Sequence, residues 1–212
     1  MIRLLRFFFH HFYHAFAWTY DLVAALVSVG RWQGWVSSAL PYLDGPRVLE
    51  IGHGPGHLQV ALQEKGLAAY GLDESRQMGS IAVSRLRRKG MPPRLARGYA
   101  QALPFESGRF DNVVATFPTE YIFDPQTLAA IWRVLRPGGK LVVVLAAWIN
   151  GKGLPDRAAA WLFRVTGQGS PLPEAALERI RAPFAVAGFD VRSEALEKEA
   201  STVLVIIATK AE

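Results

Sequence analysis

The sequence predicts an α/β fold: a mostly parallel sheet covered by helices on both faces, with a helical cap at the N-terminus. Three observations carry this. Apolar strand-like runs alternate with helix-like segments from residue 47 onward. A turn with glycine at every second position joins the first strand to the first helix. Residues 1–35 differ in composition from the rest and hold Phe7, Phe8, Phe9, Phe12, Tyr13, Phe16, Trp18, Tyr20, Trp32 and Trp35.

The elements follow in order. In the first segment Arg3, Arg6, His10, His14 and Asp21 form one narrow polar stripe on an otherwise apolar helix. Three readings of that helix stay open. It docks on the domain and lids a pocket, it lies in a membrane surface with Trp and Tyr at the boundary, or it is a signal peptide. His10, His11 and His14 interrupt the apolar run that a signal peptide needs. Leu22–Val29 is apolar but well short of the ~20 residues that span a bilayer. The loop Pro41–Pro46 then leads to a buried strand, Arg47–Ile51. Gly52-His-Gly-Pro-Gly-His57 is the turn, and Leu58–Lys65 a helix stopped by Gly66. Ala68–Leu72 is a strand ending in Asp73, and Glu74–Lys89 a helix with Arg85, Arg87, Arg88 and Lys89 near its end, where cations suit the dipole. Leu95–Arg97 and Asn112–Thr116 are strands, Gln126–Leu135 a helix and Lys140–Ala147 an apolar strand. Glu174–Ala187 is a helix, and Phe189–Glu194 and Thr202–Thr209 are the last strands. A domain of residues 44–212 behind a cap of residues 1–43 is the expected organisation.

Composition narrows the chemistry. The 212 residues are 50% hydrophobic and 20% charged, enough for a sizeable core and unlike a disordered chain. With no cysteine there is no disulfide framework, thiolate metal site or cysteine nucleophile, and no metal site is expected. A net charge of +6 suits an anionic partner.

The candidate site is the glycine turn with its acidic neighbour. Gly52, Gly54 and Gly56 let a ligand approach bare backbone, and Asp73 at the end of the second strand can accept both hydroxyl hydrogens of a ribose. His57 stands near the third glycine position of the dinucleotide fingerprint, which disfavours a nicotinamide enzyme.

Four segments together resemble the class I S-adenosylmethionine-dependent methyltransferases, and within them the branch of the ubiquinone and menaquinone C-methyltransferases. They are Val48-Leu-Glu-Ile-Gly-His-Gly-Pro-Gly-His57, Ala100-Gln-Ala-Leu-Pro-Phe105, Phe110-Asp-Asn-Val113 and Arg133-Val-Leu-Arg-Pro-Gly-Gly-Lys-Leu141. The resemblance covers residues 44–147. It implies a Rossmann-like, seven-stranded sheet, with S-adenosyl-L-methionine as cofactor and S-adenosyl-L-homocysteine as product. It also implies that Glu50, Gly52, Gly54 and Gly56 face the methionine part. Asp73 then holds the ribose beside Glu74, Ala100 and Gln101 lie at the adenine edge, and Thr116 and Phe117 face the sulfonium. The branch carries an aspartate where this chain has Tyr99, so the carboxylate that accepts the adenine amino hydrogens is missing.

Methyl transfer asks the protein for alignment and exclusion of water, plus a base if the acceptor loses a proton. His53, Glu120 and Tyr121 are the candidate catalytic groups, with loop or surface side chains facing water as the alternative. Trp18, Tyr20 and Trp32 are candidates for an aromatic acceptor pocket, with core packing as the alternative. The expected acceptor is small and lipophilic, a quinone or a phospholipid headgroup, met by a cytoplasmic enzyme that touches the inner face of the membrane through residues 1–20. A soluble methyltransferase of a polar metabolite and a cofactor-binding protein without catalysis are the alternatives. Nucleic acid is disfavoured, because Phe117-Pro-Thr-Glu-Tyr121 is unlike the segment that grips a flipped base.

Overall fold

A computed structural model describes residues 28, 30–151, 153 and 173–211. Its seven-stranded sheet has the order β3-β2-β1-β4-β5-β7-β6. The strands are β1 (Arg47–Ile51), β2 (Ala68–Asp73), β3 (Leu95–Arg97), β4 (Phe110–Thr116), β5 (Leu135–Ile149), β6 (Phe189–Lys198) and β7 (Ser201–Lys210). The first five run parallel, and β7 is antiparallel to both β5 and β6. The helices are α1 (Trp32–Val36), α2 (His57–Glu64), α3 (Arg76–Arg88), α4 (Pro125–Val134) and α5 (Glu174–Val186). The order reverses between β1 and β4. In a parallel sheet a crevice opens there beyond the carboxyl ends of the strands.

Alternating side chains build two apolar layers. Leu49, Ile51, Val113, Leu128 and Ile131 fill one face of the sheet. Val48, Leu58, Leu62, Val114 and Val142 fill the other, where Trp35, Val36 and Ala39 from the N-terminal segment join them. Trp35 is buried and its Nε1–H donates to Ser201 Oγ at 2.9 Å, so the cap is tied to β7.

Capping residues set the helix starts. The Ser75 hydroxyl accepts from the Met78 amide at 3.3 Å, so α3 begins at Arg76 rather than at the expected Glu74. Asp124 accepts from the Gln126 amide at 2.9 Å, with Pro125 in the first helical position of α4. At the other end of α4, Lys210 Nζ donates to the Trp132 and Leu135 carbonyls, each at 2.7 Å. Strand β5 starts at Leu135, ahead of the expected Lys140. Leu135 pairs with Phe110 and Lys140 with Asn112, so the four residues 136–139 of β5 stand against the single Asp111 of β4.

Candidate active site

The loops after β1, β2, β3 and β4 surround a cavity of about 880 Å³ at the crevice. Gly52 and Gly54 form its floor, Asp73, Glu74 and Ser75 one wall, Ala100 and Gln101 one end. Thr116, Phe117, Glu120 and Tyr121 complete it on the β4 side.

All three loop glycines have positive φ (71°, 51° and 82°), yet each serves differently. A Cβ on Gly52 would stand 2.8 Å from the Tyr121 hydroxyl, and one on Gly56 would stand 2.9 Å from Ala82 Cβ on α3. Gly52 thus admits Tyr121 across the loop, and Gly56 lets α2 and α3 close together without lining the cavity. Gly54 has open space where its side chain would be. Its amide donates to Asp73 Oδ2 at 2.8 Å, while Asp73 Oδ1 accepts from the Ser75 amide at 2.8 Å. One carboxylate therefore fastens two loops and keeps a lone pair on each oxygen for a ligand's hydroxyls.

Glu50 lies behind the loop, not at the cavity wall where contact with the methionine part was expected. It is 1% exposed and accepts from Gln59 Nε2 at 2.8 Å. Burial, added to by the nearby Asp73 charge and opposed by the Gln59 hydrogen bond, pushes its pKa up to about 8. His53 also turns away from this cavity. It is buried, Nδ1–H donates to the Gly54 carbonyl at 2.8 Å, and burial lowers its pKa, so the ring is held neutral. It faces a second cavity on the far side of Asp73.

The Tyr121 hydroxyl donates to the Ile51 carbonyl at 3.3 Å. Burial raises its pKa, and the charges of Asp73, Glu50 and Glu74 raise it further. It stays protonated, which suits a hydrogen-bond donor and not the base expected from the sequence. Glu120 is exposed at the rim. Phe117 has φ 48°, and its amide donates to the Val144 carbonyl at 2.7 Å. Trp32 stacks on the Phe117 ring with centroids 4.6 Å apart, so it backs the cavity wall instead of forming it. Trp18 and Tyr20 lie outside the described residues. Gln101 Nε2 donates to Asp124 Oδ2 at 3.0 Å, which fixes its amide at the cavity's end. Tyr99, 65% exposed, stands at the same end.

Met78 and Phe123 also line the cavity and were not foreseen. Met78 had a signal, since it lies three residues after the cap Ser75 and so faces the same end of α3. Phe123 had none, because its short 3₁₀ turn, Glu120–Phe123, has no periodicity to read.

The site fits an adenosyl cofactor: the Asp73 oxygens retain acceptor capacity for hydroxyls, and bare Gly54 backbone lies beside them. A family model described as a methyltransferase domain matches residues 48–139. The demethylmenaquinone methyltransferase of Thermus thermophilus is 31% identical over 204 residues, 84% of this chain and 90% of that protein. The enzyme of the same name from Renibacterium salmoninarum is 35% identical over 128 residues, but those are 58% of this chain and 52% of that protein. Among solved structures, phosphoethanolamine N-methyltransferase 2 of Haemonchus contortus in complex with S-adenosyl-L-methionine superimposes with a TM-score of 0.60 at 20% identity. The overlap covers 86% of this chain and 53% of that one, and it shows the shared fold. A binding protein without catalysis is not what these relatives are. With this sheet order, this loop and these relatives, the chain belongs to the class I S-adenosylmethionine-dependent methyltransferases, in the quinone C-methyltransferase-like branch.

Proposed function

We propose that this methyltransferase places its methyl group on a ring carbon of a lipophilic, quinone-derived acceptor in its reduced, hydroxylated form. The observation that carries the reading is the make-up of the cavity. Its polar end at Gly54 and Asp73 continues into a wall of Phe117, Tyr121 and Phe123. The 31% identity to a demethylmenaquinone methyltransferase supports the same acceptor class.

The cofactor supplies an electrophilic methyl on a sulfonium, so the chain's task is alignment. Asp73 takes the ribose hydroxyls, Glu74 stands beside them, and the Gly52 and Gly54 backbone borders the methionine part. Ala100 and Gln101 hold the adenine edge. Thr116 and Phe117 narrow the passage between cofactor and acceptor, with Trp32 bracing Phe117 from behind. Carbon methylation is balanced by loss of one proton. A hydroxyl proton leaves the acceptor, the new carbon–methyl bond forms as the sulfur–methyl bond breaks, and the ring proton at that carbon is then lost as the oxygen regains a proton, so one proton is released in all. Glu120, exposed at the rim, receives a proton and passes it to water. The Tyr121 hydroxyl, whose proton points to the Ile51 carbonyl, offers its oxygen lone pairs to an acceptor hydroxyl. Residues 44–212 form the catalytic domain and residues 1–43 its cap, which the packing of Trp35, Val36 and Ala39 supports. The reading keeps the enzyme on the cytoplasmic side with residues 1–20 at the membrane. Among the described residues no helix is long and apolar enough to cross one.

The test is incubation of the full chain with trideuteromethyl-labelled S-adenosylmethionine and a short-tailed prenyl naphthohydroquinone in detergent. Product is read by mass spectrometry and NMR. Label on a ring carbon is expected. Label on oxygen, or label only in polar metabolites of a cell extract, overturns the reading.

A further inference from the structure

The second cavity, about 730 Å³, runs between α3 and the edge strand β3 and shares only Asp73 and Ser75 with the cofactor cavity. Arg76, Arg87, Arg88 and Arg97 line it together with the hydroxyl residues Ser80 and Ser84. All four arginines are exposed. None of them is paired with a carboxylate among the described residues. Arg97 Nε donates to the Glu74 carbonyl at 2.9 Å and Arg88 Nε to the Ser84 carbonyl at 3.4 Å, and neither contact neutralises a charge. The neighbouring Lys89, by contrast, is paired with Glu64 at 2.7 Å. The acid on the groove is Asp73, whose two oxygens accept from the Gly54 and Ser75 amides.

The arginines are spread along the groove. Arg97 is in register with Asp73 at the cofactor end of the sheet, and Arg76 opens α3 at that same end. Arg87 and Arg88 close α3, about 17 Å further along its axis at ~1.5 Å per residue. One phosphate cannot bridge that distance, whereas a row of phosphates can. Among the described residues no Phe, Tyr or Trp lines the groove. Proteins that hold single-stranded nucleic acid stack its bases on such rings, so the lining favours phosphates without bases. Where the groove meets the mouth of the cofactor cavity, two residues beyond Arg97, Tyr99 exposes its ring. An exposed tyrosine of this kind suits the boundary between headgroups and acyl chains.

We propose that the α3–β3 groove docks the enzyme on the phosphate headgroups of an anionic lipid surface, with Tyr99 set at the boundary beside the cavity mouth. The docking gives a lipophilic acceptor a short route into the cavity, and in that respect it rests on the function proposed above. The groove's own claim is binding, which is read without acceptor or cofactor.

The experiment is flotation of the full chain with vesicles of phosphatidylcholine alone or mixed with phosphatidylglycerol, at low and raised salt. Binding is expected only to the mixed vesicles, and raised salt weakens it. Arg87→Gln with Arg88→Gln, at the end of the groove far from the cofactor, is expected to lower the partition coefficient roughly 30-fold, about fivefold per charge. Ser84→Glu, which sets a negative charge in the groove on an exposed helix face, is expected to act in the same direction. Calorimetric binding of S-adenosylhomocysteine verifies that each variant is folded. Equal flotation of the variants and the parent chain overturns the proposal, because residues 1–20 would then account for any attachment. So does an absence of flotation, or preferential binding of an RNA oligonucleotide. Turnover of the naphthohydroquinone in detergent is independent of all these outcomes, so failure of the groove and failure of the acceptor assignment are told apart.

Discussion

Two carboxyl groups behind one turn have opposite situations. Asp73 is shared between the Gly54 and Ser75 amides, within reach of the cavity. Replacing it with alanine removes the proposed ribose acceptor and both amide contacts. Asp73→Ala is expected to weaken cofactor binding by about 1–3 kcal/mol, the scale of a charged hydrogen bond left unmade. Calorimetry with S-adenosylhomocysteine measures it, and unchanged affinity would refute the ribose role. Glu50 is the reverse case, a buried acid whose pKa is pushed from 4.5 up to about 8. A raised carboxyl pKa means that the folded state prefers the proton. Its contribution is intact below pH 4.5, declines as the unfolded chain ionises, and levels off above about pH 8. Glu50→Gln keeps the acceptor for Gln59 and has no charge to desolvate. It should gain roughly 3 kcal/mol at pH 7 and little at pH 4. Urea unfolding of both chains across that range decides it, and a gain independent of pH would exclude Glu50 as the cause. The glycine spacing and Asp73 were legible in the sequence because a turn between strand and helix has a local signature. The inward aim of Glu50 and His53 was not, since it depends on which helix each face of β1 and its loop meets.

The same contrast appears in the elements. Ser75 and Asp124 end in caps that their residue types announce, and the α3 and α4 starts follow within two residues of expectation. The start of β5 was hidden, because Arg136-Pro-Gly-Gly139 reads as a loop. The ladder nevertheless begins at Leu135, and Asp111, 3% exposed, receives Arg136 Nε at 2.9 Å and the Arg47 amide at 2.8 Å. Gly139 makes the crossing feasible. A Cβ there would stand 2.9 Å from the Arg136 carbonyl oxygen and 3.0 Å from that of Asp111. Both are backbone atoms that cannot swing aside. Gly139→Ala is therefore expected to cost about 1–3 kcal/mol in urea unfolding, and a neutral result would mean that the extra residues of β5 yield easily. Strand β6 also runs further than its apolar pattern, to Lys198, because its outer residues are polar and only the pairing with β7 defines it. The turn that joins them contains Ala200 at φ 55°, a position that no residue type in the sequence flags.

Across the whole molecule the alternation of strands and helices was enough to give a parallel sheet with helical cover. Seven strand segments were legible locally and the resemblance implied that they form one sheet, but their order was not read from the sequence. The antiparallel insertion of β7 between β5 and β6 follows from hydrogen bonding among segments far apart in the chain. The crevice at the β1–β4 reversal couples ligand binding to global stability, because both cavity walls are formed only in the folded sheet. S-adenosylhomocysteine at a hundredfold its Kd is expected to add about 2.7 kcal/mol. For a chain of this size that raises the melting midpoint by roughly 5–10 °C. A midpoint that does not move would place the ligand elsewhere. The aromatic start of the chain acquires one clear function from the part of it that is described. Trp32 lies flat on Phe117, and Phe117 is a wall of the cavity. Whatever enters or leaves that cavity alters the surroundings of an indole, so the enzyme carries its own optical gauge of occupancy.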